Sequence, residues 1–467
     1  MAVTSSGPGN FSSVITGGLS VNDDVIINHD VTLDGPAPNV NSLVINSGKT
    51  LTGGGNKITL DGENGSGFVI TNDGSISGNL DLEINTTSPT SINIGGSAGN
   101  CFRDLKLNDA NVDLHLHTDT FIDGNLTIAA GQLTCATEAG AAKNLEVIGN
   151  VSLTGTLTGN ASAITIGKML EITNGGTYTE TSGTTLISGQ PDGDYVLRNH
   201  DGGTYTKHAT GILKIARTSA SGTKYAKFGE DVYNDVKLEN TSSGSVVAIV
   251  GVMNLAGDLT VVEGELRSYG GTGAIDVDGD VSIEDGGKFS TETSQLTAGG
   301  VNADFGSLTI ASGGTYDATP LTTTITAKDT GGSGYAWNNS GTFTHNNGKV
   351  KFTDDDHIYL KESLFYDLEC ALSNTSKEFR WDDKASNLGT VLGDFTITSG
   401  RFKFNTAGDT WTVHGLTKLE SDGQFGLNSP SGTHTFNGLV TVNGGTWNLS
   451  SGTNNMAGIR NVGGTIS

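Results

Sequence analysis

The chain has 467 residues, 69 of them Gly and only 7 Pro, and a formal charge of −24 with 16% charged residues. That length suffices for a large core or several domains. An acidic surface repels phosphate backbones and anionic lipid, so nucleic acid and membranes are excluded as main partners.

The opening residues, MAVTSSGPGN, have no basic n-region and no apolar h-region, and the first Lys or Arg is Lys49. They do not read as a secretory signal. Either the sequence is a mature fragment with an added Met, or the chain is made in the cytoplasm and never exported by the general route. No apolar run is long enough to span a bilayer. From residue 17 onward apolar residues alternate in short runs, as in LEVIGNVSLTGTL (145–157) and GAIDVDGDVSI (273–283). Period-two alternation predicts strands with one buried face, and it argues against disorder despite the high Gly content. CATEAGAAK (135–143) allows a helical turn or two at most, so the chain is nearly all β. Cys101, Cys135 and Cys370 form an odd, scattered set with neither a disulfide framework nor metal-ligand spacing. Each is expected to be a small buried apolar residue.

A long repeat runs through the chain. GNLTIAAGQL (124–133), GDLTVVEGEL (257–266) and GDFTITSGRF (393–402) fit one pattern, G-[ND]-[LF]-T-[IV]-x-x-G-x-[LF]. Upstream of each lies an aspartate, Asp104, Asp235 or Asp367, and the three are almost evenly spaced. Other recurrences, Ile70, Leu197, Trp337 and Ile459 among them, keep the same period of about 130 residues. The predicted organisation is an N-terminal segment, 1–16, then a single continuous solenoid, 17–467. Its parts are a partial copy (17–67), three copies (about 68–194, 195–334 and 335–457) and a partial copy (458–467). Independent sandwich domains would be joined by linkers, and no Pro-rich or charged linker is present. A coil of stacked rungs can begin and end anywhere.

Within a copy, strands of three to five residues are punctuated by Gly, Asn and Asp. The predicted fold class is all-β, a parallel β-solenoid of the right-handed β-helix kind. Rungs of about 22 residues give roughly 20 rungs, a rod on the order of 95 Å, with about six rungs per repeat. In the ten-residue motif, Leu126, Ile128, Leu259, Val261, Phe395 and Ile397 are expected to point inward and the Thr between them outward. Gly131, Gly264 and Gly400 are expected at corners whose conformation other residues resist.

GKVKFTDDDHIYLKESLFYDLE (348–369) has the pattern G-x-V-x-F, a polar loop, then F-Y-x-L. Followed by G-x-L-T-[IV]-x-x-G, it resembles solenoid repeats of phage tail-fibre, spike and other virion-appendage proteins, and is similar to repeats of bacterial surface adhesins. The resemblance implies a structural role at the surface of a particle. β-Solenoids host many functions, so fold alone does not settle the function.

Four stretches carry possible chemistry. Asp113, His115, His117 and Asp119 share one face if the segment is a strand, about 7 Å apart. Two imidazoles and two carboxylates suit a transition metal, and the motif resembles the His-x-His iron sites of some trimeric phage fibres. The plainer alternative is a solvated outer face over Leu114 and Leu116. Asp354-Asp355-Asp356-His357 is the densest acidic run, but it lacks the spacing of a calcium loop and is better read as an exposed loop. Trp337, Trp411 and Trp447 fall at apolar positions of the repeat and are expected to fill a widening core. Trp381, with Arg380, falls in the longest insertion, where a projecting loop suits a protein or glycan contact. Packing under that loop is the alternative. No nucleophile elbow, phosphate loop or zinc-protease motif occurs.

The function expected from these features is a non-enzymatic structural protein of a phage or virus particle, a tail fibre, spike or capsid-surface fibre. It needs no cofactor. Its expected partners are other virion proteins, further copies of itself in a homotrimer docked through an open C-terminal end, and a host-surface glycan. Two alternatives stand beside it. One is a bacterial adhesin or carbohydrate-binding protein at the cell surface. The other is a polysaccharide-cleaving β-helix enzyme, which needs carboxylates at matching positions of adjacent rungs. No such pair emerges from aligning the repeats.

Overall fold

The computed structural model describes residues 1–15, 18–35, 39–86, 89–94, 97–189, 193–218, 222–241, 244–270, 273–291, 300–328, 334–354, 356–362, 364–382, 388–404, 408–426, 431–448 and 452–467. It is nearly all β, a parallel β-solenoid of about 18 rungs. Every pairing between its strands, among the described residues, is parallel. The only helix among those residues is Phe11–Val14, and 135–143 is instead a turn closed by an Ala136–Ala142 bridge. The chain falls into two compact units, Met1–Ala220 with Lys224–Asn234, and Ser221–Thr223 with Asp235–Ser467.

In the first unit, ten strands from Ala2–Thr4 to Thr204–Thr206 stack into one face. A second face runs through Lys57–Leu60, Asp81–Ile84, Leu105–Leu107, Leu126–Ile128, Val151–Leu153, Leu170–Ile172 and Tyr195–Asn199. A third runs from Thr120–Ile122 through Leu145–Val147, Ile164–Ile166 and Thr184–Ile187 to Ile212–Ile215. Rung length varies. The circuit that brings Ser42 beside Asp24 is short, whereas the one that brings Ala226 beside Leu197 is half as long again. Alternate residues of each strand turn inward, so Leu126, Val151, Leu170 and Leu197 form one fully buried column. Each such side chain contributes about 1.5–3 kcal/mol by leaving water.

The ten-residue motif owes its composition to this stacking. Leu126, Ile128, Leu259, Val261, Phe395 and Ile397 are all fully buried, as their spacing predicts. Gly131, Gly264 and Gly400 have φ of +76°, +83° and +86°, the left-handed region that a side chain resists. The upstream aspartates sit one rung below the motif. Leu105 pairs with Leu126, Val236 with Leu259 and Leu368 with Phe395. The carboxylate of Asp104 accepts a hydrogen bond from the Asn125 backbone N–H at 2.7 Å. Asp235 does the same for Asp258 at 2.9 Å, and Asp367 for Asp394 at 2.7 Å. The motif's second residue then serves the next rung: Asn125 accepts from the Asn150 N–H, Asp258 from Asp280 and Asp394 from Leu416. A Cβ on Gly124 would lie 2.3 Å from Asp104 Oδ1 and 2.6 Å from the Arg103 carbonyl oxygen. Glycine stands there because the carboxylate of the rung below occupies the space.

One expectation about the repeat needs correcting. In the second unit, Val236, Leu259, Val281, Leu308, Trp337 and Leu360 form one column, five rungs from end to end. Leu368, which follows Asp367 as Val236 follows Asp235, stacks in a different column, through Met253, Ile275, Ala303, Thr323 and Val350. The repeat therefore spans five rungs and one further strand, not six rungs, and here the motif moves to the neighbouring face.

Both cores carry aromatic residues in columns. In the first unit Tyr178, Tyr205 and Tyr233 lie in sequence, with ring centroids 5.4 and 3.9 Å apart. The Tyr205 hydroxyl donates to Glu180 at 2.7 Å. In the second unit Phe395, Phe402, Trp411, Phe425 and Trp447 fill the interior, with Phe425 stacked on Trp447 at 4.5 Å. Trp337, Trp411 and Trp447 are fully buried, as expected of core residues, and Cys101, Cys135 and Cys370 are also buried.

The buried phenols set an alkaline limit. Burial pushes Tyr178 and Tyr233 well up, burial and then the Glu180 carboxylate push Tyr205 up, and burial pushes Tyr316 up to about 12. A raised phenol favours the folded state while it keeps its proton. Its contribution is whole below the unfolded value near pH 10 and fades as pH rises toward the folded value. Absorbance at 295 nm should therefore show Tyr178, Tyr205, Tyr233 and Tyr316 ionising only as the circular dichroism of the sheet is lost. A single smooth titration with the fold intact would contradict this burial.

Candidate functional site

The four residues of the Asp113–Asp119 stretch do not converge. Asp113 and His115 share an outer face of the strand Asp113–Leu116, with His115 Nε2 3.5 Å from Asp113 Oδ1. His117 lies beyond the strand and meets the Phe68 ring edge-on, centroids 4.9 Å apart. Asp119 faces another rung, where its Oδ1 accepts the Asn144 backbone N–H at 2.9 Å. Leu114 and Leu116 are buried beneath. Among the described residues no three His, Cys, Asp or Glu side chains are grouped so as to hold a metal.

The described residues of the acidic run lie in a loop, as expected, with Asp356 and His357 partly exposed but Asp354 buried. Asp354 is 6% exposed, and its carboxylate accepts the Asp356 N–H at 3.1 Å. Asp356 pairs with Lys328 and, at 3.5 Å, with Lys377. The hydrogen bond from Lys328, then that from the His357 N–H, holds its carboxyl well below the usual range. Asp355 lies outside the described residues.

Trp381 does not project on a loop. It lies in the strand Glu378–Asp382, fully buried, and its Nε1 donates to the Glu362 carbonyl at 2.8 Å. Its period-two position on a strand directs it inward, which the insertion length alone did not reveal. Arg380, on the opposite face of that strand, donates through Nε and Nη2 to Glu378 and through Nη1 to the Tyr359 hydroxyl at 2.7 Å. Glu378 is further paired with Lys403 at 2.5 Å. Arg380 is thus locked into a surface network.

Two features were not legible in the repeats. Asp276 and Asp304 lie side by side on adjacent rungs. Burial, then the neighbouring Asp278 and Asp304 carboxylates, raises the Asp276 carboxyl. Beyond Asp304 the outer column continues through Thr324 and Lys351 to Glu369, beside a shallow groove of about 370 Å³. Glu369 holds Lys349 at 3.0 Å and Lys351 at 3.2 Å. The second feature, in the first unit, is a concavity of about 420 Å³ over the strand Thr120–Ile122, floored by Phe121, Glu146 and Thr165. Its residues come from three rungs, so no local motif marks it.

No known protein family matches the chain, and no curated protein sequence does either. The functional reading therefore rests on the geometry of the solenoid itself. That geometry offers outer faces with shallow concavities, and a side-by-side carboxylate pair at Asp276 and Asp304.

Proposed function

We propose that the chain is a non-enzymatic structural protein of a phage or virus particle, a rigid surface appendage of the tail-fibre, spike or capsid-fibre kind that serves assembly or host attachment. The observation that carries this reading is how the outward charges are disposed. They pair between neighbouring rungs: Lys57 and Lys106 with Glu83, Lys349 and Lys351 with Glu369, and Lys403 with Glu378. Single exposed pairs stabilise by at most about 1 kcal/mol each, but pairs that bridge successive rungs tie the coil along its length. Together with the backbone ladders, they suit a load-transmitting shaft.

Self-association is part of the proposal. Leu416 and Leu439 stand side by side on consecutive rungs of the second unit, 55% and 42% exposed, and Leu392, 39% exposed, stands on the rung before them, displaced along it. An apolar strip of that kind suits contact with a further copy, as in a homotrimer.

Mass spectrometry and immunogold microscopy of purified particles from the source test the reading. The chain is expected on the particle surface, and its absence from particles would overturn the proposal. The enzyme alternative is favoured by the Asp276–Asp304 pair alone. Incubation with host capsule is expected to release no reducing ends. Release that disappears in Asp304→Asn would put a polysaccharide-cleaving activity in its place.

A further inference from the structure

We propose that the concavity over Phe121 in the first unit binds a neutral saccharide. This gives the attachment role proposed above a ligand class and a site, and rests on that role for its biological setting.

The floor is a column of outward side chains at matched register, Phe121 beside Glu146 and Glu146 beside Thr165. Phe121 takes the outward position of its strand, between the buried Thr120 and Ile122, but places an aromatic ring where its register neighbours on the next rungs are Glu146 and Thr165. A large aromatic ring on the outer face adds nothing to the core, and this one lies half-buried in the concavity. Glu146 is exposed and has no hydrogen-bond or ion-pair partner among the described residues. Thr165 adds a hydroxyl.

The rim is preorganised. Asp119 Oδ1 accepts the Asn144 backbone N–H at 2.9 Å, and Asn144 Oδ1 accepts the Ala163 N–H at 2.9 Å. Asp119 and Asn144 are thereby fixed to the backbone of the rung above and need no reordering to meet a ligand. The tight turn that bridges Ser97 to Asn100 forms the far wall.

The chemistry selects the ligand. One face of a pyranose ring is a sheet of C–H groups, which covers an aromatic ring. Its edge carries hydroxyls, which donate to carboxylates and amides. Phe121 supplies the platform, and Asp119, Asn144 and Glu146 supply the acceptors. A volume of about 420 Å³ is that of a small-ligand site. Three rungs span about 10 Å, the reach of a disaccharide. Among the described residues no Lys or Arg lines the concavity and two carboxylates do, so sialylated, uronic and sulfated sugars are repelled.

The test is binding of the purified full chain to an array of neutral, sialylated and sulfated oligosaccharides, followed by titration calorimetry with the best neutral binder. At least one neutral oligosaccharide should bind. Phe121→Ala should weaken it by at least about tenfold, and Glu146→Gln should weaken it by several-fold. Phe121→Trp should retain it. Phe121 faces outward, so all three variants should melt like the parent protein, and circular dichroism checks this. Binding to no neutral glycan, binding to anionic glycans only, or equal binding by Phe121→Ala would each overturn the site. Particle incorporation of Phe121→Ala, read by mass spectrometry, separates the two proposals. A variant that enters particles but does not bind glycan leaves the appendage role standing.

Discussion

Gly124→Val is expected to destabilise the protein by about 3–5 kcal/mol. The new side chain would overlap Asp104 Oδ1 and the Arg103 carbonyl oxygen. The rung below must then shift, and the Asn125 N–H loses its carboxylate acceptor. Neither loss can relax alone, because Asn125 in turn accepts from Asn150 on the next rung. In thermal melts the loss should appear as a fall in Tm on the order of 10 °C. Gly193→Ala is the control. A Cβ there meets nothing within 4 Å, and its φ is not in the left-handed region, so its Tm should stay within about 2 °C of the parent. Equal melting of Gly124→Val and the parent would show that the motif glycine is not held by the rung beneath it.

Trp411→Ala should cost about 3–5 kcal/mol, the loss expected for a buried aromatic side chain that leaves a cavity. Trp411 is fully buried, with Phe395, Phe402, Phe404 and Trp381 around it at centroid distances of 5.0–6.2 Å. Its indole N–H makes no hydrogen bond, so Trp411→Phe gives up no polar contact and should cost roughly half as much. The rung before it is cut to fit. A Cβ on Gly389, the strand neighbour of Trp411, would lie 2.3 Å from the indole ring. Gly389→Ala should therefore destabilise the parent and be tolerated better in a Trp411→Ala background. Additive effects of the two substitutions in a double-mutant cycle would contradict the contact.

Much of the fold is legible in the residues because it depends on periods that survive irregular loops. Alternation over a single short strand was enough to place Leu126 and Ile128, or Phe395 and Ile397, in the core. A glycine at a fixed offset marked the left-handed corner at Gly131, Gly264 and Gly400. The repeated aspartates were visible too, but not their partners. Asp104 matches Asp235 of the next copy, whereas the residue it touches is Asn125, on the next rung. Comparing copies matches equivalent residues, and contacts in a solenoid join residues one rung apart. Since the circuit from Asp24 to Ser42 is so much shorter than that from Leu197 to Ala226, no single offset recovers the neighbours. The Asp276–Asp304 pair and the column Phe121–Glu146–Thr165 stayed hidden for that reason. The same irregularity misled the reading of Trp381. The extra residues before Gly393 suggested a projecting loop, yet Glu378–Asp382 is a regular strand within that insertion.

Cysteine cross-linking between neighbouring rungs tests the stacking most directly. Thr127 pairs with Ser152 in the first unit and Thr260 with Ser282 in the second, and all four side chains face outward. Cα atoms of partners on adjacent parallel strands are about 4.8 Å apart, within the range a disulfide accepts. The three native cysteines are buried and should not compete. In mild oxidant, Thr127→Cys with Ser152→Cys, and Thr260→Cys with Ser282→Cys, should each close a loop without loss of the sheet signal. Thr127→Cys with Thr154→Cys, displaced to the next outward position along the chain, should stay reduced. If the out-of-register pair closed instead, or if neither matched pair closed in the folded protein, the parallel stacked rungs would be wrong.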